Sequence, residues 1–252
     1  MTKKEALQKY TLQLADTALV LGHRLSEWCG HGPILEQDMA LTNIALDLIG
    51  QARSIYQYAA TLQGEGRTED DLAYLRSEME FLNPLLVELP NGDFADTIAR
   101  QFFFDVYNYA FYSALKNSKD ETLAAIAEKS LKEVRYHQRY SSEWMLRLGD
   151  GTEESHEKIQ TAVDNIWMYT GELTEMTEVE KAVLADGVGV DLEKIKPIWI
   201  EKVKSVLAEA TLKMPESSWM QSGGKNARHT EHLGFILAQM QHLQRTHPGA
   251  SW

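Results

Sequence analysis

The sequence is poor in the residues that build disulfides, thiolate metal sites and membrane spans. Of its 252 residues only Cys29 is a cysteine, so an internal disulfide and a zinc or iron–sulfur site made of several thiolates are both excluded. No apolar run approaches the ~20 residues that a membrane span needs, and the first ten residues lack the apolar core of a signal peptide. These absences predict a cytoplasmic protein without a membrane partner.

Positive charge is also scarce. The chain carries 25 Lys and Arg against 37 Asp and Glu, which gives a formal net charge of −12 at pH 7. Such a charge repels polyphosphates at long range, so nucleic acid is not an expected partner, although a local basic patch can still hold an anionic ligand. The hydrophobic content of 44% is enough for a sizeable core in a chain of this length.

Proline is rare, with six residues, and no segment shows the sustained alternation of a strand. Apolar residues recur instead at steps of three and four, which is typical of amphipathic helices. The predicted helices cover about residues 6–29, 34–62, 68–79, 93–115, 120–148, 152–173, 178–185, 191–212 and 227–245. Asp93 and Asp120 are the predicted N-caps of the third and fourth long helices. The sequence therefore predicts an all-α protein.

The four long helices of the first 148 residues form two predicted antiparallel hairpins, joined by a crossover near residues 64–92. Two helical hairpins joined by one long crossover are the plan of a ferritin-like four-helix bundle. We predict a single ferritin-like domain over residues 1–252. Its core bundle is expected at about 4–148, and accessory C-terminal helices are expected at about 152–246.

Ferritin-like bundles that bind two metal ions take one carboxylate from each of two helices and a Glu-x-x-His pair from each of the other two. The inward-facing ionisable residues predicted here are Glu27, Asp47, Asp105 and His137. Three positions before His137 the chain has Val134, and three positions after Asp47 it has Gly50, so neither pair is complete. A site without these ligands binds metal weakly, because affinity depends on ligand number.

A buried polar network is the favoured interpretation of these residues. Unpaired buried carboxylates are costly, so Arg24 or Arg53 is expected to complete the network. An intact Glu-x-x-His occurs at Glu153 and His156. We interpret this pair as part of a solvated helix surface and not as a metal site. An independent di-metal oxidase that uses substitute ligands stays open as the alternative.

Six strings of residues carry a resemblance to a known family. They read RLSEWCGH at 24–31, LDLIGQAR at 46–53, PNGDFADTIARQ at 90–101, KEVRYH at 132–137, GGK at 223–225 and HTEHLG at 229–234. These strings are similar to the non-catalytic C subunits of bacterial phenylacetyl-CoA epoxidases. The likeness extends from about Tyr10 to Trp252.

The resemblance implies a ferritin-like structural subunit without a cofactor of its own. It implies pairing with a homologous catalytic A subunit, which holds a di-iron centre, binds most of the phenylacetyl-CoA and epoxidises its ring with oxygen and electrons from a reductase. The A subunit's ligand positions fall on residues that do not complete the set: Glu27, Asp47, Gly50, Asp105, Val134 and His137. A stand-alone helical adaptor is a further alternative.

The aromatic run from Phe102 to Tyr112 could line a substrate tunnel in an oxygenase. Core packing and a subunit interface are favoured instead, because aromatic residues recur in both for their contact area. Since the aromatic residues lie on all sides of one predicted helix, we expect a heteromer interface at this run.

A glycine-rich loop precedes the last predicted helix, which is expected to begin near Ala227. Backbone N–H groups at a helix N-terminus, together with nearby cations, can hold a phosphate of coenzyme A. The residues predicted to contact an anion or a partner are Lys225, Arg228 and His229. The favoured interpretation of the same loop is structural: it positions the terminal helix and binds no phosphate.

Overall fold

The structure is a computed structural model that describes residues 1–64 and 66–250. Its α-helices are α1 (Lys3–Ser26), α2 (Leu35–Gln63), α3 (Glu69–Tyr74), α4 (Phe94–Leu115), α5 (Glu121–Gly149), α6 (Glu153–Trp167), α7 (Glu178–Ala185), α8 (Leu192–Glu209), α9 (Glu231–Met240) and α10 (His242–Thr246). Short 3-10 helices occupy Glu78–Glu80, Leu85–Glu88, Gly171–Thr174 and Gly224–Asn226.

The described residues contain no β-strand, and the prediction of an all-α protein is confirmed. None of the described helices has the length and apolar character to cross a membrane. The cytoplasmic location stays a prediction.

The chain divides into two compact units. The first comprises Met1–Pro90, Thr177–Val183 and Gly223–Trp252, and the second comprises Asn91–Met176 and Leu184–Ser222. The single domain over residues 1–252, with a core at 4–148 and accessory helices at 152–246, stays a prediction.

In the first unit, α1 and α2 pack closely along their length. The Tyr56 hydroxyl on α2 donates to the Asp16 carboxylate on α1, and further along α1 Gly22 lies against Leu48. A Cβ built on Gly22 would stand 3.2 Å from the Cβ of Leu48, so glycine permits this close approach. Because the later residue of α1 meets the earlier residue of α2, the two helices run antiparallel, as predicted.

In the second unit, α4 and α5 form the other predicted hairpin. The Asp93 side chain accepts from two backbone N–H groups at the start of α4, and that of Asp120 accepts from the Leu123 N–H, so both predicted N-caps are confirmed. The rings of Phe94 and Trp144 meet edge-on with centroids 4.9 Å apart. The start of α4 therefore lies beside the end of α5, and the helices run antiparallel.

The aromatic run of α4 is in the core of the second unit. Its rings are almost fully buried at Phe102, Phe103, Phe104, Tyr107, Phe111 and Tyr112. Trp199 of α8 donates its indole N–H to the Phe103 carbonyl at 2.9 Å and stacks on Trp167. Core packing is confirmed. Tyr109, the remaining ring of the run, is half-buried, and the heteromer interface stays a prediction.

Two predicted helix ends are wrong for local reasons. α3 ends at Tyr74, before the predicted residue 79, and beyond it the Arg76 side chain bonds the Leu72 carbonyl at 2.6 Å. α6 ends at Trp167, before the predicted residue 173. There the chain closes with shorter i to i+3 bonds such as the one from the Thr170 N–H to the Trp167 carbonyl.

Candidate functional site

Glu27 lies at the end of α1 and is held by an arginine. Arg24 Nη1 donates to Glu27 Oε1 at 2.9 Å, while its Nε and Nη2 donate to the backbone carbonyl of Glu88. The Glu27 side chain is 30% exposed. The predicted partnership of Arg24 with a leftover carboxylate is confirmed, although Glu27 is less buried than its predicted inward position requires.

Asp47 and Gly50 lie on α2, where Asp47 is half-buried and Gly50 is exposed. No atom lies within 4 Å of a Cβ built on Gly50. Arg53, the other predicted partner for a buried carboxylate, is 70% exposed and pairs with Glu69 at 3.3 Å. Of the two predicted arginines Arg24 therefore takes this role, and Arg53 does not, because its side chain points toward the solvated start of α3.

Asp105 of α4 and His137 of α5 are both buried in the second unit. Gln101 Nε2 donates to Asp105 Oδ1 at 2.8 Å. Burial raises the pKa of Asp105 from 3.8 to about 6, although the charge of His137 and hydrogen bonds from Ser141 and Gln101 act in the opposite direction. Val134 is also fully buried, one turn before His137.

The donors in each unit do not fit a di-iron centre. In the second unit, Val134 places a buried isopropyl group where a Glu-x-x-His pair needs its carboxylate, which leaves Asp105 and His137. In the first unit, Gly50 has no side chain at the position of the other imidazole. Among the described residues, no group of three or more His, Cys, Asp or Glu is placed to hold a metal ion. The metal content of the chain stays a prediction.

Three buried ionic clusters in the first unit were not predicted from the sequence. In the first cluster, all five N–H groups of Arg76 are used. They donate to the Asp16 carboxylate, the Tyr56 hydroxyl and the backbone carbonyls of Leu72 and Glu80. Burial raises the pKa of Tyr56 well above 10, so its hydroxyl stays protonated and donates to Asp16. Asp16 and Arg76 are 60 residues apart, and no local pattern links them.

The second cluster is built on Glu88, in the crossover between α3 and α4. His229 Nδ1 lies 3.1 Å from Glu88 Oε2, and His229 Nε2 lies 2.9 Å from the Phe81 carbonyl. The backbone N–H of Thr230 donates to the other Glu88 oxygen at 2.7 Å. Burial lowers the pKa of His229, but hydrogen bonds to Glu88 and Phe81 outweigh it and raise the pKa above 6.5. Two acceptors around one imidazole favour the doubly protonated ring.

The third cluster joins Lys225 and Glu180. The Lys225 ammonium donates to Glu180 Oε1 at 2.8 Å, and Gln13 Nε2 donates to the same oxygen at 3.0 Å. Glu180 Oε2 accepts from the Thr177 backbone N–H. Each of these carboxylates and cations is neutralised by a partner on another segment of the chain.

The predicted helix start near Ala227 is wrong. Ala227 has a left-handed backbone with φ of 58°, and α9 begins at Glu231 after its N-cap, Thr230. The phosphate site predicted at this helix start therefore lacks its helix. Lys225 and His229 face carboxylates, whereas Arg228 is exposed. The contact of Lys225, Arg228 and His229 with an anion or a partner stays a prediction.

One face of α2 carries large apolar side chains that are exposed. They are Leu35 (71% exposed), Met39 (56%), Leu46 (61%) and Ile49 (38%). Their spacing of four, seven and three residues places them on one side of the helix, within about one quarter of its circumference. We call these four residues the α2 stripe. Large apolar side chains that are exposed together on one helix face are a common mark of an interaction site.

The comparison with known proteins agrees with the resemblance found in the sequence. The family model described as phenylacetic acid catabolic protein matches residues 1–252. The chain belongs to this family. The C subunit of the 1,2-phenylacetyl-CoA epoxidase of Escherichia coli (strain K12) is 50% identical over 246 residues, which are 98% of this chain and 99% of the relative. The phenylacetic acid catabolic family is ferritin-like and helical, so the predicted fold class is confirmed.

Proposed function

We propose that this chain is the non-catalytic structural subunit of a multicomponent phenylacetyl-CoA 1,2-epoxidase in aerobic phenylacetate catabolism. It pairs with the homologous catalytic A subunit. That partner carries the di-iron centre and binds most of the phenylacetyl-CoA, and a reductase supplies the electrons. The observation that carries this proposal is the 50% identity to the C subunit of an epoxidase along nearly the whole chain.

The donor set supports a structural role over a catalytic one. Val134 and Gly50 replace two of the ligands that a di-iron site needs, and Arg24 holds Glu27 at 2.9 Å. Asp105 lies beside His137 in a closed core, where burial raises its pKa to about 6 because the charged carboxylate is poorly solvated. A ferritin-like subunit with this composition contributes a scaffold, while the oxygen chemistry belongs to its partner.

The α2 stripe supports pairing and supplies the surface for it. We assign its occupant as the catalytic A subunit, since the Escherichia coli relative is by its name one subunit of an epoxidase among several. Gly50 continues the stripe with open space around its Cβ position, so a partner helix can approach the α2 backbone closely there. Burial of exposed Leu and Met side chains then drives the association.

The test is co-expression of this chain with the di-iron A subunit of the same complex, followed by purification through a tag on this chain. We expect a stable complex whose iron content follows the amount of A subunit. The tagged chain expressed alone is expected to contain no stoichiometric iron. Iron at close to two ions per chain, with oxygen consumption in the presence of a reductant, would show instead an independent di-metal oxidase. Failure to retain the A subunit would favour the stand-alone adaptor.

A further inference from the structure

A cleft of about 470 Å³ lies in the first unit, and none of the residues of the degenerate metal site is among those that line it. Its walls come from the N-terminal half of α1, the end of α2, the segment from α3 to Leu82, and the turn Lys225–Ala227. This volume is within the range of clefts that hold small ligands, roughly 300–1,000 Å³.

Two exposed cations reach this cleft from different segments. Lys9 extends from α1, and Arg67 from the loop before α3. Both side chains are exposed, so they can approach a ligand without breaking a buried pair. An arginine and a lysine that converge on one cleft are the usual donors to phosphoryl oxygens.

Two further cations lie in the wall of the cleft and are buried. Arg76 is neutralised by Asp16, and Lys225 by Glu180, as described above. Because these two cations are already paired, the charge available to a ligand comes from Lys9 and Arg67.

Glu80 is the only acidic residue among the described lining residues of the cleft. Its Oε2 accepts from the backbone N–H and from Oγ of Ser77, each at 2.8 Å. The carboxylate is thus held at the start of its own 3-10 turn. Besides the two neutralised cations, the lining therefore contains two exposed cations and one engaged carboxylate, in a chain whose net charge is −12.

The rest of the wall is mixed. Leu12, Met79 and Leu82 supply apolar surface that is partly or largely exposed, and Gln8 and Asn226 supply amides. Apolar surface beside cations suits a ligand that joins phosphoryl groups to a planar or apolar body. Inorganic phosphate alone would leave the apolar wall unused.

We propose that this cleft is a binding site for a phosphorylated nucleotide. Lys9 and Arg67 bind its phosphoryl groups, and the apolar wall contacts its base. The site is formed by this chain alone, and its existence does not depend on the epoxidase role. A free adenine nucleotide and the nucleotide end of a coenzyme A thioester share this chemistry.

Isothermal titration calorimetry on the full chain tests the proposal with ADP, coenzyme A, pyrophosphate and adenosine at low ionic strength. We expect ADP and coenzyme A to bind saturably at one site. Pyrophosphate should bind more weakly because it lacks the base, and adenosine should bind about tenfold more weakly still, or not at all, because it lacks the phosphates. Tighter binding of coenzyme A than of ADP would identify coenzyme A derivatives as the ligand class, and equal affinities would identify adenine nucleotides in general.

The double variant Lys9→Gln/Arg67→Gln should weaken ADP binding about tenfold or more. The matched control Lys202→Gln/Lys204→Gln removes two exposed charges from α8 and should leave the affinity unchanged. Circular dichroism should show that both double variants fold, because all four substituted side chains are exposed. The proposal fails if neither ADP nor coenzyme A binds saturably, if adenosine binds as tightly as ADP, or if the Lys9 and Arg67 variant keeps the full affinity.

Discussion

The ammonium of Lys225 donates to Glu180 Oε1 at 2.8 Å, and both side chains are 3% exposed. Loss of one member of such a pair leaves the other charge buried without compensation. We expect Lys225→Met to lower the free energy of unfolding by about 3–5 kcal/mol, measured by urea denaturation. Adding Glu180→Gln should recover much of this loss, because the remaining amide is neutral.

The matched control for this pair is the neighbouring surface pair of Lys181 and Glu178, whose side chains are 55% and 87% exposed. Lys181→Met should cost less than about 1 kcal/mol, since water screens the surface pair. Equal losses for Lys181→Met and Lys225→Met would contradict the assigned role of burial.

The Arg76 cluster predicts a second contrast. Arg76→Gln removes the charge that neutralises buried Asp16 and should destabilise the fold by about 3–5 kcal/mol. Arg53→Gln removes an arginine that is 70% exposed and also pairs with a carboxylate, so it should cost less than about 1 kcal/mol. Thermal and urea unfolding measure both variants. A small effect of Arg76→Gln would mean that Asp16 is neutralised in another way.

Asp105 predicts a pH dependence of stability. Burial raises its pKa from 3.8 to about 6, so between these values the folded state holds a proton that the unfolded state has lost. The free energy of unfolding therefore falls as the pH rises through this window, by about 3 kcal/mol in total. Asp105→Asn should remove this slope, whereas the exposed control Asp164→Asn should keep it. Urea unfolding on both sides of the window measures the difference.

His229 predicts a pH effect in the neutral range. Hydrogen bonds to Glu88 and the Phe81 carbonyl raise its pKa above 6.5 despite burial, so the folded state favours the imidazolium. Its stabilising contribution is complete below pH 6.5 and is lost as the pH rises through the folded-state pKa. The difference in stability between the wild type and His229→Gln should therefore shrink with rising pH. His31→Gln, at an exposed histidine, should show no such trend.

The α2 stripe predicts where pairing is sensitive to substitution. Leu46 is 61% exposed, so Leu46→Asp should fold normally but retain much less A subunit in the co-purification. Ile198→Asp is the matched control, because Ile198 is 55% exposed on α8 and does not belong to the stripe. If both variants retained equal amounts of A subunit, the interface would not lie on α2, even if the complex itself forms.

Helix positions were largely predictable from local patterns. Apolar residues at steps of three and four, with side-chain caps at Asp93 and Asp120, indicate the long helices, and the structure agrees. The start of α9 was missed because Ala227 is left-handed, a conformation that its residue type disfavours and that only its surroundings impose. The end of α3 was missed because Arg76, within the predicted helix, bonds backward into the core.

The sequence by itself determined that the chain is helical, acidic, poor in thiols and a member of its family, since these properties follow from composition, periodicity and long distinctive strings. It also showed that Val134 and Gly50 interrupt the ligand pattern. Only the tertiary structure decided which charges are buried and how each is neutralised. The partners of Asp16, Glu88 and Glu180 lie 60, 141 and 45 residues away, and burial energies depend on such distant contacts rather than on neighbours in the chain.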